Sequence, residues 1–207
     1  MTTLSLHLLA RAPVPGLVKT RLIPTLGEEG ASRLQRALLE QTLALPPLAF
    51  EQRFLWLDGD ADRPLQQLAE RQDWVLVEQP AGDLGERMRR IAALGLAEHD
   101  GVVLIGNDCP ALDGAYLQQA CAALDEHRAV LGPAEDGGYV LLGLRSLDHS
   151  LFENMPWGGD QVLARTRECL QRLAWPHLLL PTLWDVDRPQ DLARLAELDQ
   201  RWRNLVH

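Results

Sequence analysis

The stretch Arg11-Ala-Pro-Val-Pro-Gly16-Leu-Val-Lys19-Thr-Arg21 carries three cations among prolines and a glycine, a composition too broken for a helix. A loop of this kind suits the clamping of a diphosphate, although an ordinary exposed basic loop would have the same composition. Lys19 is the single lysine beside nineteen arginines, so a compact ammonium stands where the chain otherwise uses guanidinium groups. Neither the G-x-x-x-x-G-K-[ST] pattern nor G-x-G-x-x-G occurs, which removes the Walker loop and the dinucleotide fingerprint.

The acids lie far downstream of these cations. Val102-Val-Leu-Ile105-Gly-Asn107-Asp108-Cys-Pro110 is an apolar strand ending in a carboxylate between glycine and proline, a rigid mount for a hard cation such as Mg²⁺ or Mn²⁺. As a lone residue, Asp108 also suits a simple turn. Asp187, in Trp184-Asp185-Val-Asp187-Arg188-Pro189-Gln190-Asp191, offers a second carboxylate, with Asp185 as the alternative. The same run reads equally as a helix start, with Asp187 as N-cap, Pro189 in the first turn and Gln190 in capping-box register.

Two more stretches carry chemistry. In Glu135-Asp136-Gly137-Gly138-Tyr139 the glycines let backbone approach a ligand closely, and Asp136 or Glu135 is placed to orient or deprotonate an acceptor hydroxyl. A plain tight turn explains the same glycines. Gly82-Asp83-Leu84-Gly85-Glu86-Arg87 reads as a helix start whose free amides, with Arg87, suit phosphate or merely need capping. Asp58-Gly59-Asp60 resembles a D-x-D motif, but Asp62, Arg63 and Pro64 make it equally a solvated turn before a helix. His7, His99, His127, His149, His177 and His207 lack metal-ligand spacing and read as structural or exposed.

Positioning these loops requires a sheet. Strands are expected over Leu4–Ala10, Arg53–Leu57, Trp74–Glu78, Gly101–Ile105, Ala129–Gly132, Tyr139–Leu144 and His177–Leu180, several of them continuous apolar runs of the kind covered on both faces. Helical patterns fill Glu28–Leu45, Arg63–Arg71, Asp83–Glu98, Gly114–Glu126, Asp160–Leu173 and Pro189–Arg203. Alternation of strand and helix implies βαβ units, and the short link after Ala129 implies antiparallel neighbours. The expected architecture is α/β: a three-layer, mainly parallel, doubly wound sheet with a late antiparallel hairpin and a ligand site beyond the strands' carboxyl ends.

With 207 residues, 46% of them hydrophobic, the chain suits one domain spanning 1–207. A formal charge of -9 and a pI near 5.1 argue against nonspecific binding to nucleic acid or anionic membrane, so an anionic ligand needs a local basic pocket. Cys109, Cys121 and Cys169 form neither a disulfide framework nor a zinc cluster, which suits a reducing, cytoplasmic setting. The apolar run at Leu4–Ala10 lacks a basic leader and is far shorter than the roughly 20 residues that span a bilayer, so no membrane span is expected. Oligomeric state is not legible.

Taken in order, Ala10–Leu22, Gly106-Asn-Asp-Cys-Pro110, Gly132-Pro-Ala-Glu-Asp-Gly-Gly-Tyr139 and Asp185-Val-Asp-Arg-Pro-Gln-Asp-Leu192 resemble the DUF2064 family, also called the radical-SAM/selenodomain-associated transferase 1 family. The resemblance spans almost the whole chain and implies the nucleotide-diphospho-sugar transferase fold of GT-A type. It implies phosphate contacts from Lys19 and Arg21, Mg²⁺ or Mn²⁺ on Asp108 with Asp187 as second ligand, and an acceptor side shaped by Asp136, Gly138 and Tyr139. Phe152-Glu-Asn-Met-Pro-Trp157-Gly-Gly-Asp160 is similar to a further family stretch, in which a hydroxyl residue is expected after the tryptophan; Gly158 stands there instead. Asn107 likewise replaces a small or hydroxylated residue. The expected function is transfer from a nucleotide sugar to a small-molecule acceptor by a metal-dependent glycosyltransferase. The alternatives are nucleotidyl transfer from an NTP to a phosphorylated acceptor, suggested by a similarity of the Lys19-Thr-Arg-Leu22 loop to phospholactate guanylyltransferases, and a non-catalytic nucleotide-binding module.

Overall fold

The computed structural model describes residues 2–48 and 50–206. His207 lies outside them. In chain order the elements are β1 (Leu4–Arg11), α1 (Ile23–Leu43), β2 (Phe50–Asp58), α2 (Arg63–Arg71), β3 (Val75–Glu78), α3 (Leu84–Glu98), β4 (Gly101–Gly106), α4 (Gly114–Leu124), β5 (Ala129–Pro133), β6 (Tyr139–Leu144), α5 (Val162–Arg172), β7 (His177–Leu179), α6 (Pro189–Leu198) and α7 (Gln200–Val206). Seven strands form one sheet in the order β3-β2-β1-β4-β6-β5-β7. β6 runs antiparallel to both β4 and β5, while the other pairings are parallel. The late antiparallel hairpin therefore exists, with β6 inserted between β4 and β5.

Alternation along the central strands builds two cores. Val103 and Ile105 face Leu39 and Leu43 of α1, Leu65 of α2 and Leu117 of α4. Val102 and Leu104 face Met88 and Ile91 of α3 and Leu170 of α5. The opposite flank of α1, through Leu34 and Leu38, packs against Leu192 and Leu195 of α6 and Trp202 of α7. This three-layer packing brings the carboxyl ends of six strands and the start of β6 to one edge.

Three local expectations need correction. Helix α1 contains a break at Gly27 (φ 70°, ψ 170°), so its regular part begins at Glu28 as expected but is preceded by a short extra turn. The expected helix over Pro189–Arg203 is two helices. Asp199 is extended (φ -163°, ψ 175°) and its carboxylate accepts from the amides of Arg201 and Trp202, starting α7 so that Trp202 can be buried. Asp187 is not the N-cap of α6; Arg188 is, and Asp191 reaches back to accept from the amides of Asp187 and Arg188 at 3.0 and 2.7 Å.

His7 is structural. Its Nδ1 accepts from Trp56 Nε1 at 3.0 Å, which leaves the ring proton on Nε2 facing Ser5 Oγ at 2.9 Å, and the ring stacks on Phe54. Burial, with His99 nearby, pushes its pKa down to about 3. The unfolded chain binds a proton at this residue below about pH 6.5 and the native state does not until about pH 3, so the stability from neutral His7 is complete above 6.5 and falls as pH drops. Urea unfolding at pH 8 and pH 5 is expected to show an acid loss about 2 kcal/mol larger in the parent than in His7→Gln. Equal losses in both would contradict this role.

Candidate functional site

A cleft of about 750 Å³ opens at the carboxyl edge of the sheet. β1 delivers Arg11 to its wall, and the following loop folds back on α1, where Ser32 Oγ donates to the Pro13 carbonyl. Lys19 then adopts a left-handed conformation (φ 47°) that turns its side chain inward. Only 4% of that side chain is exposed. Its Nζ lies 2.8 Å from Oδ1 of Asp108 but off the line of a hydrogen bond, and it donates instead to the Val186 carbonyl at 2.6 Å. The Asp108 carbonyl in turn accepts from Val186 N–H at 2.9 Å, so the end of β4 and the segment before α6 are locked together.

Asp187 pairs with Arg21 across the cleft rim. Asp185, two residues earlier, lies deeper; burial first, then the charges of Asp136 and Asp108, push its carboxyl up to about 6. On the opposite wall Arg87 donates to Asp58 at 2.8 Å, to Gln79 Oε1 at 3.0 Å and to the Gly82 carbonyl at 2.9 Å. Gln79 is itself fixed by the carbonyls of Ala10 and Trp56. At the bend between β5 and β6, Asp136 Oδ1 accepts from Gly138 N–H at 2.8 Å. Gly137 has φ 89°, and a β-carbon there would collide with the Asp160 carbonyl oxygen, so only glycine lets the 157–160 loop dock. Trp157 meets Tyr139 edge-on, with ring centroids 6.4 Å apart, and lies over Gly85.

The structure thus brings Arg11, Lys19, Arg21, Arg87, Asp108, Asp136, Gly138, Tyr139, Trp157 and Asp187 onto one cleft. Two expected residues stay outside its lining. Glu135 turns away, where both of its carboxylate oxygens accept from Arg194 Nη1 at 3.0 and 2.9 Å, and it sits in the turn that Gly137 N–H closes on the Ala134 carbonyl. Gly16 supplies a positive φ of 78° to the loop bend. Residues the sequence reading passed over also line the cleft. Asp58, which the sequence leaves open between a D-x-D motif and a solvated turn, ends β2 just as Asp108 follows β4, and that shared position is the available signal. Gln79 and Gln35 carried no signal, since their roles arise only through tertiary contacts.

Four cations (Arg11, Lys19, Arg21, Arg87) and six aspartates (Asp58, Asp83, Asp108, Asp136, Asp185, Asp187) line the cleft, so at full ionisation it carries two net negative charges. Lys19, Arg21 and Arg87 hold carboxylates, whereas Arg11 has no ion-pair partner among the described residues. Among those residues no three His, Cys, Asp or Glu side chains form a ready-made metal cage. No helix among them is long and apolar enough to cross a membrane.

A candidate nucleotide-diphospho-sugar transferase from Desulfovibrio desulfuricans G20 superposes over 98% of this chain and 91% of its own, with a TM-score of 0.85 and 29% identity. Glucosyl-3-phosphoglycerate synthase from Mycobacterium tuberculosis, in complex with Mn²⁺, UDP and glucosyl-3-phosphoglycerate, matches at TM-score 0.56 and 15% identity over 99% of this chain and 77% of its own. A cytidylyltransferase from Leptospira borgpetersenii matches at 0.59 and 13% over 100% and 93%. No curated protein sequence matches the chain. The sheet order, with one reversed strand, and these similarities define the nucleotide-diphospho-sugar transferase class of fold, the GT-A type. Within it the chain belongs to the DUF2064 family, described as an uncharacterized protein conserved in bacteria, whose model matches residues 34–159.

Proposed function

We propose that the chain is a metal-dependent transferase acting as one domain on a nucleotide sugar, passing the sugar to a hydroxyl of a small acceptor. The observation that carries this reading is the cleft's charge. Two net negative charges disfavour a free nucleoside diphosphate, whereas a divalent cation brings them to neutrality and lets Arg11 and Arg21 engage phosphate oxygens. The donor set suits such an ion, because Asp108 offers a buried Oδ1 that accepts no hydrogen bond, and hard divalent cations in nucleotide sites typically use only one or two carboxylates. Asp108 would hold the ion, with Asp187 or Asp185 as second ligand. When bound, the metal supplies Lewis-acid stabilisation of the departing diphosphate.

The chain's own residues perform the remaining work. Arg87, fixed by Asp58 and Gln79, and Arg11 hold the donor, and their cationic groups favour charge developing on the leaving oxygen. Asp136 spends Oδ1 on the Gly138 amide and keeps Oδ2 for the acceptor hydroxyl. The acceptor oxygen bonds to the sugar carbon as the carbon–phosphate oxygen bond breaks, Asp136 takes the hydroxyl proton, and the nucleoside diphosphate departs. Tyr139 and Trp157 shield the acceptor side from water.

A second reading, nucleotidyl transfer from an NTP, is favoured by the more complete superposition on the Leptospira cytidylyltransferase than on the mycobacterial synthase. It would release pyrophosphate instead. A thermal-shift panel of nucleoside diphosphates, triphosphates and nucleotide sugars, each with and without Mg²⁺ or Mn²⁺, is expected to give stabilisation only where metal and nucleotide are both present. Product analysis on the responding ligand then separates the two transfers, and binding without any turnover would favour a non-catalytic nucleotide-binding module. Stabilisation by nucleotide regardless of metal would contradict the metal-bridged reading.

A further inference from the structure

We infer that Lys19 is a positioning residue that couples the metal to the diphosphate: its buried ammonium shares the Asp108 carboxylate, so the protein alone holds a divalent cation weakly and holds it firmly only when a diphosphate joins. The inference rests on the reading that the cleft takes a metal-bridged diphosphate. It gives Lys19 a task different from the phosphate contact that its loop suggested.

The geometry confines the ammonium. Its side chain is 4% exposed, its backbone holds a left-handed turn, and its Nζ donates to the carbonyl of Val186, a residue buried against Leu22, Leu34 and Leu38. Val186 is hydrogen-bonded to the Asp108 carbonyl, so the anchor of the ammonium and the carboxylate it faces belong to one locked unit. Lys19 therefore has little freedom to withdraw when a cation approaches Oδ1, 2.8 Å away. Arg21 differs, because its side chain is 61% exposed at the rim and can leave Asp187 for solvent.

A divalent ion on Asp108 consequently sits beside a fixed like charge in a partly water-excluded site, where repulsion is less screened than in bulk solvent. A diphosphate brings several negative charges to the same place and offsets both cations together. Metal and diphosphate then bind as mutual enhancers, with reciprocal coupling.

The test measures Mn²⁺ binding to the full chain by the electron paramagnetic resonance of free Mn²⁺, alone and with inorganic pyrophosphate, correcting for the manganese–pyrophosphate complex in protein-free samples. In the parent, pyrophosphate is expected to tighten Mn²⁺ binding by about tenfold or more. Lys19→Met is expected to bind Mn²⁺ alone about tenfold or more tightly than the parent and to lose most of the pyrophosphate enhancement. A merely structural lysine predicts weaker Mn²⁺ binding in the variant, and that result, or an unchanged affinity, overturns the inference. Lys19→Gln, whose amide can still donate to the Val186 carbonyl, carries the same expectation should the methionine variant not fold. If neither the parent nor the lysine variants bind Mn²⁺ under any of these conditions, the metal-bridged reading itself fails.

Discussion

Asp108→Asn is expected to lower turnover of the nucleotide-sugar donor by about 10²- to 10³-fold, the range set by losing one preorganised electrostatic contact to the leaving group. Asparagine fills the same volume at the end of β4, but it replaces an anionic ligand with a neutral amide oxygen. The fold should survive the change. The Asp108 backbone carbonyl still accepts from Val186, and Lys19 keeps its bond to the Val186 carbonyl. The carboxylate is half exposed but the Lys19 ammonium it faces is buried, so the substitution costs some stability, limited by the bond that Lys19 keeps to the Val186 carbonyl. Release of nucleoside diphosphate measures the activity, and circular dichroism checks the fold. Turnover within about threefold of the parent, in a folded variant, would remove Asp108 from the metal-binding role.

Asp136→Asn should act on a different step. The substitution retains an oxygen that accepts from Gly138 N–H, so the bend survives, and it removes only the ability to take a proton. A fall in kcat of about 10²-fold or more is expected, with donor KM changed little, because a positioned general base contributes to the transition state and not to donor binding. The measurement is initial-rate kinetics at saturating acceptor. A raised KM at unchanged kcat would assign Asp136 to binding instead. Glu135→Gln makes a useful contrast, since its carboxylate lies in the Arg194 pair outside the cleft lining and its loss should leave kcat nearly intact.

The two aspartate predictions depend on features that were unequally visible in the chain. The end of β4 was legible because four apolar residues, Val102 to Ile105, run into glycine and then a carboxylate, a local pattern that places its own acid. The hairpin was legible because six residues cannot carry the chain back for a parallel crossover. Choosing Asp136 over Glu135 was not possible, because which of two neighbours faces the cleft depends on Glu135 N–H joining the Leu183 carbonyl, a contact made with a distant segment. The break at Asp199 was equally hidden. The residue sits in a helical pattern and acts as a cap only because burying Trp202 against α1 requires the chain to turn.

The cleft's electrostatics show the same division. Sequence placed cations at one end of the chain and acids at the other, and it suggested their convergence through motif order. It could not reveal that Lys19 faces Asp108 directly, or that Asp185 is buried beside Asp136 and Asp108 so that its carboxyl is pushed up, since both follow from how the segment before α6 lies against the end of β4. Asp58 shows the same division: its turn is solvated on one side, while Arg87 reaches it from α3 across the cleft wall.

Convergence of metal and diphosphate is most directly observed in crystals soaked with Mn²⁺ and a nucleoside diphosphate, using the anomalous scattering of manganese. The account predicts an anomalous peak within coordination distance of an Asp108 carboxylate oxygen, bridged to diphosphate oxygens beside Arg11. A well-occupied diphosphate in the cleft with no manganese at Asp108, or manganese bound only elsewhere, would contradict it.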